Sequence, residues 1–378
     1  MIVTALVSPP EERRLALVPP AVERLVKLGH EVRLPTGYGA PLHLADAAFE
    51  AAGAMMLPAG KASDGAEIAL VVRPPEPKAL RGLAAGTFVV GFLDPFFSLP
   101  TVRALADGGL RGMCVELMPR STYAQKMDAL SSQASLAGYV AVVLAAQRID
   151  KVLPMMSTPA GTIAPARAFV LGVGVAGLQA IATAKRLGAR VDAYDTRPVV
   201  AEQVRSLGAR FVEFDLGGEQ GQTEQGYAQA LTDEQLERQR AQMAKVVAQS
   251  DIVITTAQVF GRQAPRLLDA AAIGGMKPGS VVVDLAASTG GNVEGSVAGE
   301  EVVTENGVRI VGLHPLPASV ARDASLMYAA NLTHLIEHAW KDGALRPAAE
   351  DEIVGAVLLT DDGAVRHDAV RERLEASA

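Results

Sequence analysis

The 378-residue chain is poor in several residue types whose patterns identify function directly. Cysteine occurs once, at Cys114, which excludes a disulfide framework and fits a reducing compartment. Flanked by Met113 and Val115, that thiol is expected in a core. The six histidines are scattered. Only His334 and His338 share a helical spacing; they lack the H-E-x-x-H pattern and read as the polar flank of a helix, so no metal centre is expected. The net charge of −7 is spread along the chain without a basic run, which argues against nucleic acid as a partner. Long apolar runs are also missing. The strongest, "SLAGYVAVVLAAQRIDKVLPMM", is uninterrupted only to Ala146, short for a bilayer, and Gln147, Arg148, Asp150 and Lys151 follow. The opening "MIVTALVSPPEERR" has no basic stretch ahead of an apolar one, so no signal peptide is expected. These absences together predict a soluble chain without direct membrane insertion, reaching any membrane through another polypeptide.

What is present is a folded α/β pattern. Apolar residues make up 49% and charged residues 20%, and the length suits two domains. Short apolar runs alternate with helical ones. "IVTALVS", "EVRLPTG", "IALVVRPP", "TFVVGFL" and "GMCVELMP" read as strands in the first third. "RAFVLGVG", "RVDAYD", "ARFVEFD", "DIVITTA", "SVVVDLAA" and "VRIVGLHPL" follow. The alternation predicts two Rossmann-like or flavodoxin-like domains with mainly parallel sheets and a cleft between them. Residues 1–130 plus 318–378 form the first, closed by a helix over 324–342 and a hairpin around Asp361-Asp362-Gly363; residues 131–317 form the second. The helix "LSSQASLAGYVAVVLAAQRI" joins them.

Within "LGVGVAG", Gly172, Gly174 and Gly177 stand in a G-x-G-x-x-G arrangement between a strand and a helix. Gly172 suits a tight turn, Gly174 lets a pyrophosphate approach the backbone, and Gly177 lets the helix pack on the strand; Val175 opens that helix. Asp195 ends the next strand, roughly 20 residues on, where a dinucleotide fold places its ribose-binding acid. Its carboxylate would accept both ribose hydroxyls and repel a 2′-phosphate, favouring NAD over NADP. Thr196 lies beside it, and Arg197 is expected near the adenine or simply exposed.

Two segments resist this reading. Residues 120–133, "RSTYAQKMDALSSQ", gather polar groups where an apolar helix begins. Asp128 and Ser131 suit helix capping, which leaves Arg120 and Gln125 without a role. The stretch "DLGGEQGQTEQ" has no apolar spacing and is either disordered or a mobile functional loop.

The segments "CVELMPR", "AQKMDALSSQASLAGY", "GVGVAGLQAIATAKRLGA", "GYAQAL" and "VVVDLAASTGGN" resemble the NAD(H)-binding component, domain I, of proton-translocating nicotinamide nucleotide transhydrogenase. The pattern R-x4-Q-x2-D-x2-S at Arg120, Gln125, Asp128 and Ser131 is similar to that family's Arg-Gln-Asp loop. The resemblance implies direct hydride transfer from NADH on this chain to NADP⁺ on a partner subunit, coupled to proton translocation by membrane-spanning subunits. It implies that Arg120 and Ser131 orient the nicotinamide, that Asp128 holds Arg120, and that Gln125 reaches the ribose and the incoming cofactor. It places Gly226 and Tyr227 in a loop closing near the adenosine, and Gln239 and Gln258 at nucleotide-contacting positions. Gln258 departs from an expected apolar residue; His314-Pro315 and Ala318 depart from a polar pair and a serine. The resemblance further implies a homodimer in the cytoplasm, peripheral on the cytoplasmic face of a bacterial inner membrane.

Alanine dehydrogenase is similar over the same span, and its reaction needs acid–base groups and a carboxylate clamp. Arg14 matches the clamp, but Arg73 stands at the lysine position, Asp94 at the histidine and Ser288 at the aspartate. A third reading, a non-catalytic NAD sensor, gives Arg120 and Gln125 no task.

Overall fold

The computed structural model describes residues 1–215, 217, 232–341, 344–346 and 350–377. They divide into two compact units, Met1–Gln133 with Ala318–Ala378, and Ala134–Pro317.

Six parallel strands form the first unit's sheet: β1 (Ile2–Ala5), β2 (Glu31–Pro35), β3 (Met55–Leu57), β4 (Ile68–Val71), β5 (Phe88–Gly91) and β6 (Arg111–Cys114). Their order is β3-β2-β1-β4-β5-β6, with Val3 opposite Val32 on one side and Ile68 on the other. Strands β4 and β5 are buried at every position, so their sequences run continuously apolar instead of alternating. The helix Ala321–Ala339 returns to this core and starts three residues earlier than the spacing predicts. Its Tyr328 is fully buried; the hydroxyl donates to Val71 O at 2.7 Å and accepts from Phe92 N–H at 3.0 Å. A side chain at Gly91 would strike Val71 O at 2.1 Å, so only glycine fits beneath that tyrosine. The hairpin Thr360–Asp361/Ala364–Val365 reaches the β6 edge, where Thr360 Oγ1 donates to Leu110 O and accepts from Gly112 N–H.

The second unit has β7 (Arg167–Leu171), β8 (Arg190–Tyr194), β9 (Arg210–Phe211), β10 (Ile252–Thr255), β11 (Val281–Asp284), β12 (Glu301–Val303) and β13 (Arg309–Val311). Their order is β9-β8-β7-β10-β11-β13-β12, all parallel except β12. In each sheet the strand order reverses beside the first strand. Ligands of such sheets collect at that switch point, off the carboxyl ends of the strands. Three details differ from the sequence reading. Strand β9 has two residues, β12 is an antiparallel edge, and an exposed hairpin, Met156–Thr158/Gly161–Ile163, follows the long helix.

That helix, Ala129–Arg148, starts before the apolar run read from the sequence and is, by length and composition alone, long and apolar enough to cross a bilayer. At its end the Arg148 guanidinium pairs with Glu301. Val140, Ala141, Val142 and Ala145 are buried in the protein, and Gly138 is so close to Ala176 that a side chain there would meet Ala176 O at 2.1 Å.

Candidate dinucleotide site and polar cluster

The glycine loop lies at the carboxyl end of β7. Gly172 adopts φ +92°, open to glycine at little cost, and a Cβ there would meet Thr256 Oγ1 at 2.6 Å. Gly177, on the helix Val175–Arg186, would place a Cβ 2.0 Å from Gly172 O, so helix and strand touch backbone to backbone. Gly174 is different: its φ is −82° and nothing lies within 4 Å of its Cβ position. The space in front of Gly174 is open to a ligand.

Gly174 caps this helix without a side-chain bond, and the first intrahelical bond runs from Leu178 N–H to Gly174 O. The amides of Val175, Ala176 and Gly177 are therefore the unsatisfied donors of a helix N-terminus, which with the dipole suits a pyrophosphate. Thr256 Oγ1 donates to Gly172 O at 3.0 Å. Asn292 clasps Ala257 on both sides, accepting its N–H and donating to its carbonyl. Sequence reasoning misses Asn292, whose signal is the "GGN" that ends the tight turn after β11. The donor set fits a dinucleotide: Gly172, Gly174, Val175 and Gly177 would hold the phosphates.

Asp195 directly follows β8 and is largely enclosed. Arg197, expected near the adenine or simply exposed, is ion-paired to Asp195. Its Nε donates to Oδ1 at 2.9 Å and its Nη2 to Oδ2 at 3.0 Å, while the N–H groups of Arg197 and Val173 add 2.8 Å bonds. Burial pushes the carboxyl up, but these bonds and the guanidinium charge outweigh it and hold the pKa below the ordinary value. A carboxylate has about four acceptor positions, and all are used. A ribose hydroxyl would reach Asp195 only by displacing Arg197. The physical reason is proximity: two residues apart at a strand end, the fork of Arg197 meets the carboxylate before any solute does. Thr196 sits half-buried between them.

Gln239, buried on the helix Asp233–Val247, donates to the Tyr194 hydroxyl at 2.7 Å. Gln258 is exposed, with Nε2 on Leu285 O at 3.1 Å. Gly226 and Tyr227 lie outside the described residues.

The polar cluster belongs to the first unit. Asp128 caps the long helix, accepting Ser131 N–H at 2.9 Å and Ser131 Oγ at 2.5 Å. Among the described residues no hydrogen bond or ion pair joins Asp128 to Arg120, contrary to the expected link. The carboxylate is taken by the Ser131 amide at the helix start and by the hydroxyl of the same serine. Arg120 and Gln125 are exposed. Behind them, Asn331 Nδ2 holds Lys126 O at 2.9 Å and Ser132 Oγ donates to Asn331 Oδ1.

Arg14 is buried, its guanidinium bonded to Glu12 through Nε at 2.8 Å and Nη2 at 2.7 Å, and to Gln133 Oε1 through Nη1 at 2.9 Å. Arg73 pairs with Glu11 at 3.4 Å, and Ser288 is exposed in the second unit. Asp94 has a left-handed φ of +44° and, through burial, a raised pKa moderated by Arg373. Glu116 accepts the N–H groups of Leu93 and Asp94 and the Cys114 thiol. Burial drives its carboxyl up to about 7, against the pull of those bonds. Among the described residues no group of three or more His, Cys, Asp or Glu could hold a metal.

Comparison with known proteins accords with this geometry. The alanine dehydrogenase/PNT N-terminal domain family matches residues 8–137 and the C-terminal domain family residues 141–368. A Rickettsia prowazekii protein named as a portion of NAD(P) transhydrogenase subunit alpha is 41% identical over 370 residues, covering 96% of this chain and 95% of that protein. Its counterpart from Rhodospirillum rubrum is 42% identical, covering 96% of each. The crystal structure of transhydrogenase from Sinorhizobium meliloti superposes with a TM-score of 0.84 at 43% identity, covering 98% of this chain and 100% of that one. With both domain families matched and near-complete coverage of such relatives, the chain belongs to the alanine dehydrogenase/PNT family, among the oxidoreductases of the NAD(P) transhydrogenase alpha-subunit kind.

Proposed function

We propose that this chain is the NAD(H)-binding component of a proton-translocating transhydrogenase. Hydride passes directly between C4 of NADH on this chain and C4 of NADP⁺ on a partner subunit, giving NAD⁺ and NADPH. Hydride alone changes hands, so no side chain must supply or remove a proton, and catalysis rests on proximity and orientation. When bound, the dinucleotide supplies the hydride chemistry. Gly172, Gly174, Val175 and Gly177 hold its pyrophosphate; the adenosine ribose displaces the Arg197 guanidinium from Asp195 and meets that carboxylate, with Thr196 and Arg197 beside it. Gly226, Tyr227, Gln239 and Gln258 complete the cofactor contacts. Arg120 and Ser131 orient the dihydronicotinamide, Asp128 fixes Ser131, and Gln125 faces the incoming cofactor.

The observation that carries this reading is the turn at 120–128, which leaves Arg120 and Gln125 exposed on a backbone held from behind by Asn331. Substitution by Arg73 and Ser288 leaves amine chemistry without its lysine and aspartate. Membrane-spanning subunits provide the proton path, and the chain acts in the cytoplasm, peripheral on the cytoplasmic face of a bacterial inner membrane. It works as a homodimer; exposed Tyr139, Val143, Met155, Met156 and Ile163 in the second unit support an apolar contact with another copy.

The test is a single turnover with NADH deuterated at C4 and a purified, NADP⁺-loaded partner subunit, following label in NADPH by mass spectrometry. Label should pass only when the partner is present. NADH oxidation with pyruvate and ammonium, or no label in NADPH, would overturn the proposal.

A further inference from the structure

Residues 120–127 form a surface turn whose backbone is fastened from below. Ala124 and Met127 are each 1% exposed. Ala124 N–H bonds to Ser121 O at 3.1 Å, Met127 N–H to Ala124 O at 2.8 Å, and Asn331 Nδ2 to Lys126 O at 2.9 Å. Tyr123 stands on top of this turn, 85% exposed, the highest value for any large hydrophobic side chain among the described residues. No hydrogen bond or ring contact involves it among them.

Single exposed hydrophobics are ordinary on protein surfaces. This one has a setting that they lack. Its exposed neighbours along the chain are Arg120, Thr122, Gln125 and Lys126, two cations and no acid, in a chain of net charge −7. The next carboxylate along the chain, Asp128, is taken up by Ser131. An aromatic plate between two cations suits a partner surface that is planar or apolar at its centre and anionic at its rim. A protein presenting a bound, phosphorylated nicotinamide cofactor has that chemistry.

We infer that Tyr123 is the docking anchor for the NADP(H)-carrying partner, packing its ring against that subunit while Lys126 faces the partner's anionic groups. The inference rests on the hydride-transfer reading above and adds a residue to it. Tyrosine suits the task, because it brings a large contact area with few rotamers to lose, and tyrosines are over-represented among residues that dominate interfaces. The fastened turn has already lost the freedom that docking would otherwise have to remove. Tyr123 is a positioning residue; it does not touch the atoms that react.

The test compares the wild type, Tyr123→Ala and Tyr123→Phe. Affinity for the purified NADP⁺-loaded partner subunit is measured by titration calorimetry, and deuterium transfer by single turnover at saturating partner. Tyr123→Ala should raise the partner Kd roughly ten- to thirtyfold. Tyr123→Phe should stay within about threefold, because the ring and not the hydroxyl makes the contact. Transfer at saturating partner, NADH affinity and Tm should not move. An unchanged partner Kd for Tyr123→Ala, in a wild type that transfers label normally, overturns this inference and leaves the hydride-transfer reading intact. A slower rate at saturation with unchanged Kd, or a lowered Tm matching the lost affinity, overturns it as well. A wild type that transfers no label overturns both.

Discussion

Gly174→Ala and Gly177→Ala differ by three positions in one loop, and the structure assigns them opposite consequences. At Gly177 the new Cβ would lie 2.0 Å from a backbone carbonyl that has no rotamer to yield, and another 3.4 Å from Thr256 Oγ1. Ordinary contact is near 3.5 Å. The helix Val175–Arg186 must therefore retreat from β7 by more than an ångström, and overpacking of this kind costs about 1–3 kcal/mol or more. At Gly174 the Cβ meets nothing within 4 Å and φ is −82°. There the lost freedom of the unfolded chain, about 0.4–1 kcal/mol in favour, sets against a poorer helix cap of similar size. Stability should thus stay within about 1 kcal/mol of wild type, while the methyl fills the space through which a pyrophosphate would approach, so NADH affinity should fall at least tenfold. Circular-dichroism melting and NADH fluorescence titration separate the two effects. The reasoning fails if Gly174→Ala binds NADH normally, or if Gly177→Ala melts at the wild-type temperature.

Asp195→Ala should weaken NADH binding by about 1.5–3 kcal/mol, the scale of bonds to a charged group, and raise NADPH affinity as Arg197 loses its counter-ion; unchanged affinities for both would refute the ribose assignment. Gln125→Asn should slow single-turnover transfer to the partner while NADH affinity stays put, and the opposite pattern would remove Gln125 from the reaction face. Glu116 titrates near 7 when folded against 4.5 ordinarily. Between those values the folded chain keeps a proton that the unfolded chain has released. Its contribution is therefore full below pH 4.5 and lost as pH rises to about 7, at most about 3 kcal/mol. Glu116→Gln should flatten that slope in urea unfolding at pH 5 and 8, and an unaltered slope would mean that Glu116 ionises normally.

Where one residue carries its own steric or apolar signature, the sequence was legible. "IALVV" and "SVVVD" are continuous apolar runs because their strands are covered on both faces, and the α/β class follows from them. Gly172, Gly174 and Gly177 each answer a separate steric demand within one short loop. Contacts that depend on which distant segments meet left no trace. Arg14 and Gln133 are 119 positions apart, and nothing local pairs them. Tyr328 reads as one more residue on an amphipathic helix until Val71 and Phe92 close on its hydroxyl. The antiparallel edge β12 was hidden because Glu301–Val303 is too short to show a period. The pairing of Arg197 with Asp195 was not legible, because a spacing says where a carboxylate lies but not which cation reaches it first.

The first unit is interrupted in sequence: the chain leaves it at Gln133 and re-enters at Ala318. The stretch from the end of β6 to Tyr328 therefore takes a ribosome roughly 10–40 s at the usual 5–20 residues per second, and only then can Tyr328 bridge Val71 and Phe92. The contiguous second unit has all its strands in hand by then. The late-made helix Ala321–Ala339 thus completes the earliest-made sheet, and until it arrives the contacts that Tyr328 makes with Val71 and Phe92 are missing.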